Sequence, residues 1–427
     1  VMERNDPRYQ AYVEILKEEL IPAMGCTEPI ALAYAAAKAR EVLGVLPDSV
    51  QLQVSGSIIK NVKSVIVPNT GHLKGMEAAV AAGIIAGSAE KELEVISEVS
   101  EEKKSAIRDY LQTVPITIEH TEQGHVFDIV VTERCGQDYA RVRIADYHTN
   151  ICRIEKNGTV LYEVPLLDET VQENARADRS LLNMQDIWDF AETADLRDVA
   201  DLLERQIRYN NAIAEEGLLG DYGANIGRVL LTTYGNDVSN RAKAKAAAGS
   251  DARMNGCELP VIINSGSGNQ GITCSVPLIE YAKELHSGKE KLYRALIISN
   301  LVAIHEKTGI GTLSAYCGAV SAGAGAGAGI VYLCGDGYQA AIHTVVNALA
   351  IVSGIVCDGA KASCAAKIAS SVDAALLGYN MYKCNQEFKG GDGIVMKDIE
   401  TTIKGIGRLG KDGMRQTNEE IIRLMMS

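Results

Sequence analysis

Ser321-Ala322-Gly323-Ala324-Gly325-Ala326-Gly327-Ala328-Gly329 lies at the centre of a stretch, Gly309 to Gly335, that contains no charged residue. Such a stretch is long enough to cross a bilayer. Its composition points elsewhere: Gly, Ala and Ser offer too little apolar area for insertion but allow two backbones to approach closely, so it reads as a helix buried in a protein interior. Working outward, the residues that follow the acidic run Asp168 to Asp178 carry Ala-, Gly- and Leu-rich helical spacing to the C-terminus, with no persuasive strand pattern. The reading is a large all-α domain built around the glycine–alanine helix.

The N-terminal side is mixed. Tyr9 to Leu20 has helical spacing closed by Pro22, and a second helix runs from Ile30 to Val42. Thr27 is placed to cap that helix, with Glu28 and Pro29 in its first turn. From Ser49 the period changes to two. Val50, Leu52 and Val54 alternate with polar residues, Val62 to Val67 reads as a strand, and helices are expected over Gly75–Gly87 and Glu101–Leu111. Strand patterns return at Phe127–Thr132, at Ala140–Ile144 and in a hairpin about Asn157-Gly158, a type I′ turn signal. The expected fold class is α+β: an all-α domain of residues 1–44 and 166–427, with a smaller mixed-sheet α+β domain, residues 45–165, inserted near the N-terminus.

The chain has 427 residues, 47% of them hydrophobic and 23% charged, with aromatics at only 5% and 40 glycines available for close packing. That length suits two cores rather than one. A net charge of −13 repels phosphate backbones, so no nucleic-acid partner is expected, and no membrane partner either. The charged start Met2-Glu3-Arg4-Asn5-Asp6 carries no export signal, which makes the cytoplasm the expected compartment. There, ten cysteines are buried thiols, metal ligands or nucleophiles rather than a disulfide framework.

Four sites carry candidate chemistry. Cys357 and Cys364 lie seven residues apart in Cys357-Asp358-Gly359-Ala360-Lys361-Ala362-Ser363-Cys364; a continuous helix would separate them by about 10 Å, too far for one compact cluster, unless the Asp358-Gly359 turn signal breaks it. Cys317 lies 40 residues earlier, at the mouth of the uncharged helix. By spacing alone, all three read better as buried thiols than as metal ligands. Cys26 precedes a helix N-terminus, whose dipole favours thiolate, although Glu28 opposes it. The polar loop Asn264-Ser265-Gly266-Ser267-Gly268-Asn269-Gln270-Gly271 could present several N–H groups to a carboxylate; it matches no nucleotide-binding pattern. His148, with Asn150 beside it, ends a strand where it could face a cleft. Lys361 is the lysine to consider for a pyridoxal Schiff base.

Met24-Gly25-Cys26-Thr27-Glu28-Pro29, Ser265 to Gly271, Ser314-Ala315-Tyr316-Cys317-Gly318 and Cys357 to Cys364 together resemble the L-cysteine desulfidase family, itself related to the α chain of iron–sulfur L-serine dehydratase. The resemblance covers essentially the whole chain. It implies a [4Fe–4S] cluster on Cys317, Cys357 and Cys364, with one iron free of protein ligands. Cys26 would then be the base for the Cα proton, the Ser265, Gly266, Ser267, Gly268 and Asn269 loop the substrate-carboxylate site, and His148 and Asn150 substrate-orienting residues. One departure is that Cys357 and Cys364 lie closer together than their dehydratase counterparts. The expected partner is a small amino-acid substrate and the expected assembly a homo-oligomer, a dimer. L-cysteine desulfidase is the leading expectation, with iron–sulfur L-serine dehydratase next; a pyridoxal phosphate lyase or a non-catalytic amino-acid-binding protein are the alternatives of other classes.

Overall fold

The computed structural model describes residues 2–24, 27–121, 125–166, 176–311 and 314–427. The chain divides into two compact units: residues 1–24, 174–357 and 362–420, and residues 25–173, 358–361 and 421–427. In chain order the elements are α1 (Pro7–Glu19), β1 (Pro22–Met24), α2 (Thr27–Leu43), β2 (Ser49–Val54), α3 (Gly56–Val62), α4 (Gly75–Ala86), α5 (Glu101–Thr113), β3 (Ile116–His120), β4 (Asp128–Cys135), β5 (Asp138–Ala145), β6 (Ile151–Lys156) and β7 (Thr159–Glu163). There follow α6 (Met184–Thr193), α7 (Ala200–Leu219), α8 (Ile226–Tyr234), α9 (Val238–Met254), β8 (Pro260–Ile262), α10 (Gly268–Glu284), α11 (Lys289–Ile310), α12 (Gly318–Cys334), α13 (Tyr338–Val352), α14 (Cys364–Lys383), α15 (Ile399–Arg408) and α16 (Arg415–Met426).

The first unit is helical and has α12 at its centre, packed against α10, α11, α13 and α14. Its glycines alternate in sequence, so on a helix they sort into two stripes four residues apart. A Cβ on Gly325 would lie 2.5 Å from the Ser299 carbonyl oxygen, and one on Gly329 2.8 Å from that of Ala295, both on α11. A Cβ on Gly323 would fall 2.8 Å from Ser371, and one on Gly327 2.8 Å from the Ala375 Cβ, both on α14. The low-complexity run is therefore a spacer that brings three helix backbones close. Among the described residues no helix is long and apolar enough to cross a membrane. At the other end of the unit Tyr9 and Tyr12 of α1 stack edge-on against Phe190 of α6, with ring centroids 5.1 and 5.4 Å apart. A two-stranded pair, β1 with β8, sets Pro22 opposite Ile262 and Met24 opposite Pro260.

The second unit holds a six-stranded mixed sheet in the order β3-β2-β4-β5-β6-β7, in which β2 and β3 are parallel and the other pairs antiparallel. Leu52, Val54, Ile129, Val131, Val142 and Ile144 supply a buried apolar face, which α2 covers, with α4 packed on α2 in turn. Here the structure corrects the expected boundary: α2 belongs to the sheet, not to the helical domain. Its alanines 31, 33, 35–37 and 39 are buried, and Gly83 of α4 approaches the Ala33 carbonyl so closely that a Cβ would lie 2.1 Å from it. The unit begins at residue 25 rather than 45, because a sheet with one apolar face needs that helix as its lid.

Two further expectations change. Val62 to Val67 is not a strand; Gly56–Val62 is helical and Lys63 caps its end. Pro260–Ile262 is a strand, although three residues are too few for a period to register. The Asn157-Gly158 hairpin has φ of 49° and 81°, both positive as a type I′ turn requires.

Candidate functional site

In the first unit the polar loop is a tight turn fastened from below. Asn264 and Ser267 exchange backbone hydrogen bonds of 3.1 and 3.0 Å, and the two residues between them, Ser265 and Gly266, take φ of 50° and 74°. The turn rests on a buried amide network. Asn264 Nδ2 donates to Asn300 Oδ1 at 3.0 Å, Gln206 Nε2 donates to the same oxygen at 2.9 Å, and Asn300 Nδ2 returns a bond to Gln206 Oε1 at 2.8 Å. Asn210 holds β8 by accepting from the Ile262 N–H and donating to its carbonyl. Fully buried and mutually satisfied, such amides fix one conformation of the loop above them.

The loop runs into α10. Ser267 Oγ accepts from the Gln270 N–H at 3.3 Å as N-cap, and the Ser265 hydroxyl donates to Asn264 Oδ1 at 2.9 Å. Gly268 leaves room for Arg253, the basic residue in the last turn of α9: a Cβ there would lie 2.2 Å from the Arg253 Nε. Arg253 Nη1 reaches Asn269 Oδ1 at 3.4 Å, a long contact. Among the described residues neither Arg253 Nε nor Gln270 Oε1 has a hydrogen-bond partner, although both atoms are buried. Gln270 lies against the start of α12, since a Cβ on Gly318 would stand 2.3 Å from its Nε2. The loop and the cysteine segment are thus neighbours through the Gln270–Gly318 contact.

The cysteine segment is built from two extended strands of chain. Tyr316 and Val356 form an antiparallel bridge; the Cys317 N–H donates to the Ile355 carbonyl at 3.1 Å and the Cys357 N–H to the Ala315 carbonyl at 2.6 Å. Tyr316, buried, anchors the pair through its hydroxyl to Ser353 at 2.9 Å. Cys317 is the N-cap residue of α12 and Cys364 the first residue of α14. Between Cys357 and Cys364 the chain is not helical and Gly359 takes φ of +95°. Lys367 donates to the Val356 carbonyl at 2.8 Å. The thiol of Cys317 is pushed up to about 12, first by burial and then by Cys357 and Cys364, whose charges would repel its own; only Lys367 among the nearby charged groups opposes this. Cys317, 40 residues before Cys357, is thus brought within electrostatic reach of both Cys357 and Cys364.

Among the described residues no three His, Cys, Asp or Glu side chains converge on one point as ligands of a single metal ion do. A cluster asks for something different, one thiolate for each of several irons. Three soft sulfur donors suit that chemistry better than a hard cation. Cys274, close to the loop in sequence, has no such role: it is fully buried against Ala303 and Ala322 and burial pushes its thiol up.

In the second unit His148 sits in the β5–β6 turn and packs on Phe127, ring centroids 4.6 Å apart. Its Nε2 is 2.9 Å from Thr27 Oγ1 and 4.0 Å from Glu28 Oε1, and Asn61 Nδ2 donates to the same carboxylate oxygen at 3.3 Å. Burial lowers the imidazole pKa, partly offset by Glu28. Asn150 closes the turn, donating from its amide to the Ala145 carbonyl at 2.9 Å. Cys26, the expected base, lies outside the described residues; Thr27, next in the chain, opens α2. Lys361 pairs with Asp358.

Sequence reasoning missed Arg253 and the part played by Gln270. Gln270 stood inside the motif it singled out; Arg253 closes an alanine-rich helix with no local signature.

Residues 90–423 match the family model described as serine dehydratase alpha chain. A UPF0597 protein of Desulfitobacterium hafniense (strain Y51) is 61% identical over 426 residues, covering 100% of this chain and 99% of the relative. UPF0597 proteins of Lachnoclostridium phytofermentans and Treponema denticola are 52% and 46% identical, over 98% and 100% of this chain and the full length of each relative. The chain belongs to the serine dehydratase alpha chain family.

Proposed function

We propose that this protein is a lyase that eliminates the β-substituent of a small amino acid, acting as an L-cysteine desulfidase with a [4Fe–4S] cluster on Cys317, Cys357 and Cys364. The observation that carries the reading is the Tyr316–Val356 bridge, which sets Cys317 and Cys357 on paired segments while the broken chain returns Cys364 within electrostatic reach of Cys317. Family membership supports the same class of reaction. When bound, a cluster with an iron lacking a protein ligand supplies Lewis acidity to the β-thiol or β-hydroxyl without net redox change.

The chain's own residues do the rest. Ser267 and the first-turn N–H groups of α10, which lack acceptors within their helix, favour the substrate carboxylate. Cys26 takes the Cα proton, a role suited to a thiolate. His148, held by Thr27 and Phe127, orients the substrate. The aminoacrylate released hydrolyses to pyruvate and ammonia.

Anaerobic purification with iron and acid-labile sulfide analysis, followed by pyruvate and sulfide assays on L-cysteine and L-serine side by side, tests the proposal. Cluster-loaded protein with faster turnover of L-cysteine is expected. Faster turnover of L-serine would replace the desulfidase by a dehydratase, and folded protein without iron would sink the cluster.

A further inference from the structure

Two buried orphan atoms flank the first turn of α10. Among the described residues Arg253 Nε is a donor without an acceptor, and Gln270 Oε1 is an acceptor without a donor. Gln270 is only 7% exposed, so water does not readily substitute for the missing partner. Both residues are accommodated by glycines: Gly268 for the Arg253 guanidinium and Gly318 for the Gln270 amide, where a Cβ would lie 2.2 and 2.3 Å away. No carboxylate forms an ion pair with Arg253 among the described residues, although acidic residues outnumber basic ones 55 to 42 in this chain. A half-buried guanidinium in an acidic protein that has no acidic partner is poised for an anion from outside.

We infer that Arg253 and Gln270 form a clamp for the zwitterion of an α-amino acid, Arg253 taking the carboxylate and Gln270 Oε1 accepting from the ammonium. The orphan donor and the orphan acceptor are complementary to the two charged groups that every α-amino acid carries on one carbon. Gln270 also touches Gly318, the residue after Cys317, so the clamp lies beside the cysteine segment. The clamp narrows the substrate to a free amino acid: a peptide-bound residue lacks one charged group, and a simple carboxylic acid lacks the other. Ser267 and the first-turn N–H groups of α10 then share the carboxylate with Arg253, and Asn269 steadies the guanidinium. This inference rests on the lyase reading for its reaction but not for its ligand.

The test is calorimetric, on the anaerobically purified full chain, with three unreactive probes: L-alanine, L-alaninamide, which lacks the carboxylate, and propionate, which lacks the ammonium. The native protein is expected to bind L-alanine about a hundredfold more tightly than either truncated probe. Arg253→Met is expected to lose the preference for L-alanine over L-alaninamide while keeping that over propionate, and Gln270→Met the reverse. Arg253→Lys, which retains charge but not the planar fork, recovers part of the lost preference. Iron content and far-UV circular dichroism show that each variant is folded and loaded. Variants that retain both preferences overturn the clamp, and so does a native protein that binds all three probes alike. If L-alanine binds with the expected preferences but neither L-cysteine nor L-serine is turned over, the clamp stands and the lyase reading falls.

Discussion

Gly359 has φ of +95°, and a Cβ on it would lie 2.1 Å from the Lys60 carbonyl oxygen, the same oxygen that accepts the Ala360 N–H at 2.9 Å. Conformation and sterics both exclude a side chain there. Because this turn sets the path from Cys357 to Cys364, Gly359→Ala is expected to lower iron per chain by at least about half, a shift of ligand position a cluster does not tolerate. Gly354→Ala, where a Cβ meets nothing within 4 Å, is the control and keeps its iron. Iron and sulfide analysis with circular dichroism decides it; full iron in Gly359→Ala would mean that this contact does not govern the ligands. At Cys26 the expected result of Cys26→Ser is retained iron with turnover reduced by at least about 100-fold, since a hydroxyl is a far weaker base than a thiolate. Retained turnover in that variant excludes the base role.

At the scale of the element, α12 is the clearest case of local sequence specifying packing. Gly325→Ala drives a methyl to 2.5 Å from a backbone carbonyl on α11, which cannot yield as a side-chain end can. The expected loss is about 2–3 kcal/mol or more, seen as a lower denaturation midpoint at unchanged m-value. The helical propensity of alanine alone would give a gain of about 1 kcal/mol, so a stabilised variant would remove the close approach as the reason for the repeat. Elements whose period matches their burial were legible in this way: α4, α5, β4 and β5 fall where alternation or helical spacing puts them. Gly56–Val62 was not, because Ile58, Ile59 and Val62 satisfy a short helix as well as a strand, and only the core they enter decides. β3 is omitted from the sequence reading although Ile116-Thr117-Ile118 alternates plainly; its parallel pairing with β2 is a long-range choice. Of the candidate site, the cysteines and the polar loop stand in motifs that the sequence shows by itself. Arg253 stands in none, since an arginine without an ion pair among the described residues becomes informative only when its surroundings are known.

Across the whole molecule, each unit buries a carboxyl that forms no ion pair among the described residues. Glu306, 1% exposed on α11, has no hydrogen-bond partner in normal geometry among the described residues; burial holds its pKa well above the usual value, and the Ser321 hydroxyl nearby offsets little of that. Glu133, on β4 of the other unit, is raised in the same way by burial, with Arg40 opposing. Asp251, which accepts from the Gly227 N–H at the start of α8, is pushed up to about 6 by burial. A carboxyl whose folded pKa stands above its unfolded one keeps its proton in the native state where the unfolded chain has released it. Its contribution is therefore complete below the unfolded value, 3.8 for Asp251 and 4.5 for the glutamates, and is lost as pH rises through the folded value. Asp251 finishes losing its share at about pH 6–7; groups raised further, Glu306 and Glu133 among them, continue the decline above that. Stability measured by calorimetry is expected to fall from pH 6 to pH 9. Glu306→Gln, isosteric and uncharged, should be indistinguishable from the native chain at pH 4 and more stable by about 1–3 kcal/mol at pH 8, with Glu133→Gln behaving alike. The two units supply an internal check, because each substitution should act on the transition of its own unit. A difference between variant and native protein that stays constant from pH 4 to pH 9 would show that packing, not the buried proton, is what glutamine changed.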